Sequence, residues 1–113
     1  MKCMFCKIVN REISSEIIYE DDKIMAFYDI NPQAPVHVLV IPRKHIASIA
    51  ELEEDDRAVM GHLMVKIPEF IISLGLAGRG VRIVNNCLAE AGQSVFHIHF
   101  HVLGGRTFGW PPG

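Results

Sequence analysis

Residues 97–103 read His-Ile-His-Phe-His-Val-Leu, three histidines in strict alternation with apolar residues. Side chains of a β-strand alternate between two faces, so this pattern predicts a strand carrying His97, His99 and His101 on one row, about 6.6–6.8 Å apart. Ile98, Phe100 and Val102 then point the other way, into a core. Half of the chain's six histidines lie in this row. Neutral imidazole is a nucleophile, a general base and a metal ligand near pH 7, so the row points to chemistry. Three unpaired imidazoles in a buried row would each need hydrogen-bond partners, which makes a purely structural role costly.

The remaining chain frames that strand. Its 113 residues suffice for one domain, 1–113, with a modest core. Ile17 to Glu20 and Lys23 to Ile30 read as strands around an Asp21-Asp22 turn, and His37 to Ile41 as a third. Asn31-Pro32-Gln33-Ala34-Pro35 reads as a loop. Short helices are expected near Cys3 to Asn10 and Ala47 to Leu52. A long helix from Asp55 or Asp56 to Leu74 is marked by Val59, Met60, Leu63, Met64, Ile67, Ile71 and Leu74 at three- and four-residue spacing, with Gly75 as its stop. Pro68 falls inside it and should kink it. Val81 to Asn85 reads as a fourth strand. The fold class is therefore α+β: a five-stranded antiparallel sheet, one long helix, and short N-terminal and connecting helices.

Composition narrows the function classes. The net charge of −2 and the absence of a long Lys/Arg cluster argue against nucleic acid. The acidic run Glu53 to Asp56 reads as a solvated helix start. No stretch approaches the apolar length of a membrane span, and the N-terminus lacks an apolar signal core. Three cysteines do not make a secreted disulfide framework, so the cytoplasm is the expected compartment. Cys3-x-x-Cys6 has the spacing of half a zinc site, though such a pair is also compatible with redox chemistry or no function. His62 is expected at the surface of the long helix, and Cys87 in a loop or small buried niche.

Gly92-Gln93-Ser94 immediately precedes the histidine strand. Glycine permits close backbone approach to an oxyanion, Gln93 and Ser94 add donors, and successive N–H groups can form an anion-binding nest. In this position the tripeptide reads as a phosphate cradle.

His97-x-His99-x-His101-Val102-Leu103 resembles the signature of the histidine triad family of nucleotide hydrolases and transferases. Tyr28 to Pro35, His37 to His45 and Gly92 to Phe96 are also similar to that family. The tail Gly104-Gly105-Arg106 through Trp110 to Gly113 resembles its nucleotide-binding branch, whose members hydrolyse nucleoside phosphoramidates. The resemblance implies a nucleotide hydrolase acting on purine nucleoside phosphoramidates, or related nucleoside monophosphate derivatives, by two-step transfer. His99 attacks the α-phosphorus and a nucleotidyl-histidine is hydrolysed. The carbonyl of His97 accepts the nucleophile's other ring proton, His101 donates to phosphate oxygens, His37 supports the row, and Ser94 and Gln93 steady phosphate and leaving group.

For the nucleotide, the resemblance implies Asp29 on the ribose hydroxyls, Ile30 against the base, and Asn85, Gly92, Gln93, Ser94, His99 and His101 around the phosphate. Asp29 is equally readable as a turn cap, and Asn85 as a strand-end amide bonded to backbone. Family members with an N-terminal Cys pair imply a closed structural zinc site of Cys3, Cys6, His45 and His97, with no cofactor required for catalysis. The resemblance further implies a homodimer joined through the long helix and fourth strand, with Trp110 reaching the neighbour's site. Two alternatives remain at this point: a dinucleoside polyphosphate hydrolase, and a non-catalytic nucleotide- or zinc-binding module whose triad holds a metal.

Overall fold

The computed structural model describes residues 3–113. Five strands, β1 (Ile17–Glu20), β2 (Ile24–Tyr28), β3 (Val36–Pro42), β4 (Val81–Val84) and β5 (Phe100–Gly104), form one sheet in the order β1-β2-β3-β5-β4. Every neighbouring pair is antiparallel. A short helix α1 (Met4–Val9) opens the described chain, and one long helix α2 (Arg57–Ser73) connects the two halves of the sheet. No described helix is long and apolar enough to cross a membrane.

The sheet is buried on both faces. Ile24 and Ala26 of β2, Val38 and Val40 of β3, and Phe100 and Val102 of β5 pack with Leu63, Ile67 and Phe70 of α2. The alternate residues Met25, Phe27, Leu39 and Ile41 pack with Phe5 and Ile8 of α1. This two-sided cover is why β2 and β3 are almost wholly buried instead of alternating between core and water. His37 shares its face with Leu39 and Ile41, so the strand period turns it toward α1.

Local chemistry explains where expected and observed boundaries part. β2 stops at Tyr28 because the Asp29 side chain accepts the Asn31 N–H at 2.8 Å, closing a turn. The connecting helix is a single 3-10 turn, Ile49–Glu51, with Ser48 at its N-cap. A second 3-10 turn, Glu54–Asp56, precedes α2. α2 runs unbroken through Pro68, which lies on its exposed side, where water can serve the carbonyl that proline leaves unpaired. Met64 is 43% exposed and lies outside the core, whereas Phe70, absent from the expected stripe, is buried.

The histidine run needs a larger correction. Ladder pairing of β5 begins only at Phe100, so His97 and His99 precede the strand. Ile98 N–H leaves β3 and donates to Ile46 O instead. The alternation nevertheless survives: Ile98, Phe100 and Val102 all enter the α2-side core.

Candidate active site and metal centre

Each histidine of the triad has a different partner. His99 Nδ1 lies 2.8 Å from the carbonyl oxygen of His97. A carbonyl only accepts, so Nδ1 carries a proton, and in the neutral ring Nε2 keeps its lone pair. Phe5 of α1 stands edge-on to this ring, with centroids 5.1 Å apart. The ring is therefore held at Nδ1 and along one side, which leaves Nε2 for the cleft that His99 lines.

His101 and His37 form a second unit. Their register places them diagonally across β3 and β5, with His37 opposite Leu103 and Leu39 opposite His101. The backbone N–H of Gln33 donates to His37 Nδ1 at 3.0 Å. Neutral His37 must then carry its proton on Nε2, which lies 2.8 Å from His101 Nδ1. His101 accepts there, so its own proton sits on Nε2, available to the cleft that it lines. Burial pushes His101 down to about 4, with His99 and His37 adding to the effect and Asp29 opposing it. Burial also lowers His37, partly offset by Asp29. Both rings are neutral at pH 7, and His101 presents a neutral N–H donor. Asp29, His37 and His101 lie close enough to suggest a cation site. The proton relay rules against it, since both nitrogens of His37 are already committed.

His97 turns to a third partner set. Its Nε2–H donates to Pro42 O at 2.8 Å, leaving a lone pair on Nδ1. That nitrogen lies 3.5 Å from Cys3 Sγ, 3.5 Å from Cys6 Sγ and 3.3 Å from His45 Nδ1, while Cys6 Sγ is 3.3 Å from His45 Nδ1. All four donor atoms lie within 4.8 Å of one another. Tetrahedral zinc with bonds of about 2.0–2.3 Å spaces its ligands at roughly 3.3–3.8 Å, so this donor set fits. Burial, and then the adjoining Cys3 thiol, push the Cys6 thiol up to about 11. A bound cation would reverse that preference. The three triad rings thus do not converge on one metal: His97 belongs to this cluster, His101 lies with Asp29 and His37, and His99 is in neither group.

A cleft of about 390 Å³ opens beside His99 and His101. Phe5, Ile8, Phe27 and Leu39 make apolar walls, and Asp29, Ile30 and Ser94 lie along its margin. Ile30 is 94% exposed, an apolar side chain left in water at the lip. Asp29 is the turn cap expected of it: one carboxylate oxygen accepts the Asn31 N–H, and the other faces His37 Nε2 at 3.4 Å. No lysine or arginine lines the cleft among the described residues.

Three expectations are corrected. Gln93 does not reach into the cleft; its buried amide donates to Ala47 O and Val95 O and accepts from Leu88 N–H. Gly92 adopts the left-handed backbone that its position requires, at φ 86°. The Gly92 and Gln93 N–H groups donate to Ala89 O and Leu88 O, so they make no nest and Ser94 is the tripeptide's contribution to the cleft. Asn85 is not a cleft residue either. Its Nδ2 donates to His99 O at 2.9 Å, steadying the nucleophile's backbone, and its buried Oδ1 has no partner. Conversely, the Phe5 wall and the Gln33 N–H were not foreseen. Phe5 was legible as an apolar residue between two expected ligands, and Gln33 as a residue fixed between two prolines.

A family model described as the HIT domain matches residues 10–108. The chain belongs to the HIT family. A HIT-like protein of Synechocystis sp. is 52% identical over 110 residues, spanning 97% of this chain and 96% of that one. Among solved structures, a HIT family hydrolase from Legionella pneumophila superposes with a TM-score of 0.96 at 45% identity, covering 99% of this HIT chain and 100% of the other. A histidine triad protein from Clostridium difficile gives a TM-score of 0.92 at 41% identity, with 96% and 95% covered. The fold and domain of this HIT protein are thus those of HIT family hydrolases.

Proposed function

We propose that this HIT protein hydrolyses purine nucleoside phosphoramidates or related nucleoside monophosphate derivatives through a nucleotidyl-histidine on His99. The observation that carries the reading is a pair of ring contacts, His99 Nδ1 on the His97 carbonyl and His101 Nδ1 on His37 Nε2, which in neutral rings leave a lone pair at His99 Nε2 beside an N–H donor at His101 Nε2. The α-phosphate sits between them. Ribose hydroxyls reach the Asp29 carboxylate oxygen that faces His37, and the base lies between Ile30 and the apolar walls.

In the first step the His99 Nε2–phosphorus bond forms and the bond from phosphorus to the leaving nitrogen breaks. The departing nitrogen takes a proton from the solvent side, where Ser94 is exposed. The ring becomes cationic, and the His97 carbonyl stabilises its Nδ1–H. His101 donates to the oxygens on which charge accumulates; one such fixed donor contributes about 10²–10³ in rate. Water then attacks phosphorus, its proton passes to solvent, the bond to Nε2 breaks and the nucleoside monophosphate leaves.

Among the described residues the cleft holds no cationic side chain, which favours a single α-phosphate over a polyphosphate, whose extra charges would have no partners there. Turnover of adenosine 5′-phosphoramidate against diadenosine polyphosphates tests this. We expect the phosphoramidate to be hydrolysed with the higher kcat/KM, and the reverse order would transfer the assignment.

Cys3, Cys6, His45 and His97 would hold zinc in a closed four-ligand site without a water position, bracing α1 and the His97–His99 segment and leaving the chemistry to the histidines. Three free cysteines suit a reducing cytoplasm. A second copy of the chain is the proposed partner. β4 is an edge strand, and exposed apolar residues such as Ile83, Val65 and Ile72 offer surface to it, with Trp110 83% exposed in the tail. Sedimentation should give a dimer mass.

A further inference from the structure

The donor at His101 depends on the direction in which the His37–His101 pair passes its proton. If the relay reversed, His101 would carry its proton on Nδ1 and turn a lone pair toward the phosphate oxygens. Attraction would become repulsion. Two groups favour the observed direction: the Asp29 carboxylate, 3.4 Å from His37 Nε2, and the Gln33 N–H on His37 Nδ1, a contact made by a loop and not by the sheet.

That loop is held from the C-terminal tail. Arg106, just beyond β5, directs Nε and Nη2 at Gln33 O, at 3.4 and 3.2 Å. The guanidinium is itself braced, lying 4.2 Å from the centroid of the Phe108 ring. Arg82 of β4 approaches the same ring at 5.2 Å and donates to Gly109 O. Gly105 brings the tail against the loop so closely that a Cβ there would stand 2.8 Å from Pro35 Cβ. Gln33 is thus gripped at its carbonyl by the tail while its N–H reaches His37.

We propose that Arg106 is a positioning residue for the reaction, acting through Gln33 and His37 to hold His101 as an Nε2–H donor. Its significance for catalysis rests on the phosphate reading of the cleft, but the tautomer claim stands apart from any substrate. Without Arg106 the loop can withdraw, water replaces the Gln33 N–H, and water can donate or accept equally well. Both relay directions then become populated.

Nitrogen-15 spectra of the histidine rings in the full-length protein test this directly. In the parent protein His37 and His101 should both show the Nε2–H pattern near pH 7. Arg106→Ala should bring in an Nδ1–H population at His101, and Arg106→Lys, which keeps one donor, should restore most of the parent pattern. On adenosine 5′-phosphoramidate, Arg106→Ala should lower kcat about tenfold with KM within about twofold, because Asp29 keeps its own bond to the Asn31 N–H. A parent spectrum with His101 protonated on Nδ1, or an unchanged Nε2–H pattern in Arg106→Ala, overturns the proposal. If the ring spectra behave as expected but no phosphoramidate is turned over, the positioning claim holds and the functional reading fails.

Discussion

The Nδ1 of His99 donates to the carbonyl of His97, the same residue whose ring faces Cys3, Cys6 and His45. One residue therefore belongs to two sites: its ring to the proposed metal centre and its backbone to the nucleophile. Replacing His99 by Ala should abolish hydrolysis while leaving nucleoside monophosphate affinity within about tenfold, since the apolar walls and Asp29 remain. Isothermal titration and steady-state rates on the same preparation check both halves.

The purified protein should carry about one zinc per chain by elemental analysis. The Cys6 thiol is pushed up to about 11 without a cation, so binding must displace its proton. Adding zinc to metal-free protein near pH 7 should release about two protons, from Cys3 and Cys6, measurable in a weakly buffered indicator assay. Cys6→Ser should lose the metal and lower the melting temperature.

Stability should fall on acidification in a defined window. His101 titrates at about 4 in the folded protein and His37 is also lowered, while both sit near about 6.5 when unfolded. Between those values the unfolded chain binds more protons. The contribution is complete above about 6.5, declines as pH falls toward 4, and levels off below it. Denaturant midpoints from pH 7 to 4.5 should drop less steeply for a His37→Asn, His101→Asn double variant, which leaves the metal ligands in place. The difference should be roughly 1 kcal/mol per pH unit after allowance for partial solvent screening.

Gln93 is expected to matter for folding more than for binding. Its three buried amide bonds tie the segment before the triad to Ala47, Leu88 and Val95. Gln93→Ala should cost about 1–3 kcal/mol by leaving those groups unpaired. Nucleotide affinity, measured well below the melting temperature, should change little. A large loss of affinity with unchanged stability would return Gln93 to the phosphate site.

These corrections mark what a one-dimensional pattern can carry. The alternation around His97, His99 and His101 predicts which face each side chain takes, because a two-residue period is local. It does not say where pairing starts, which depends on Ile98 choosing Ile46 over β3. Gln93 and Asn85 looked like phosphate donors because their amides are chemically suited to it. Their actual acceptors, Ala47 O and His99 O, lie 46 and 14 residues away and emerge only once the chain is folded. Histidine tautomers are likewise set by neighbours such as Gln33 and Pro42 that no spacing rule names.

The central claim is that His99 Nε2 becomes bonded to phosphorus during turnover. Rapid alkaline quenching of the protein with a nucleoside phosphoramidate, which preserves the acid-labile phosphorus–nitrogen bond, followed by peptide mass mapping at neutral to basic pH, tests it most directly. The account predicts one nucleotidyl group per chain, located on the 97–101 segment at His99 and absent from the His99→Ala variant. Steady hydrolysis with no adduct in any quenched sample, or an adduct on another residue, would contradict it.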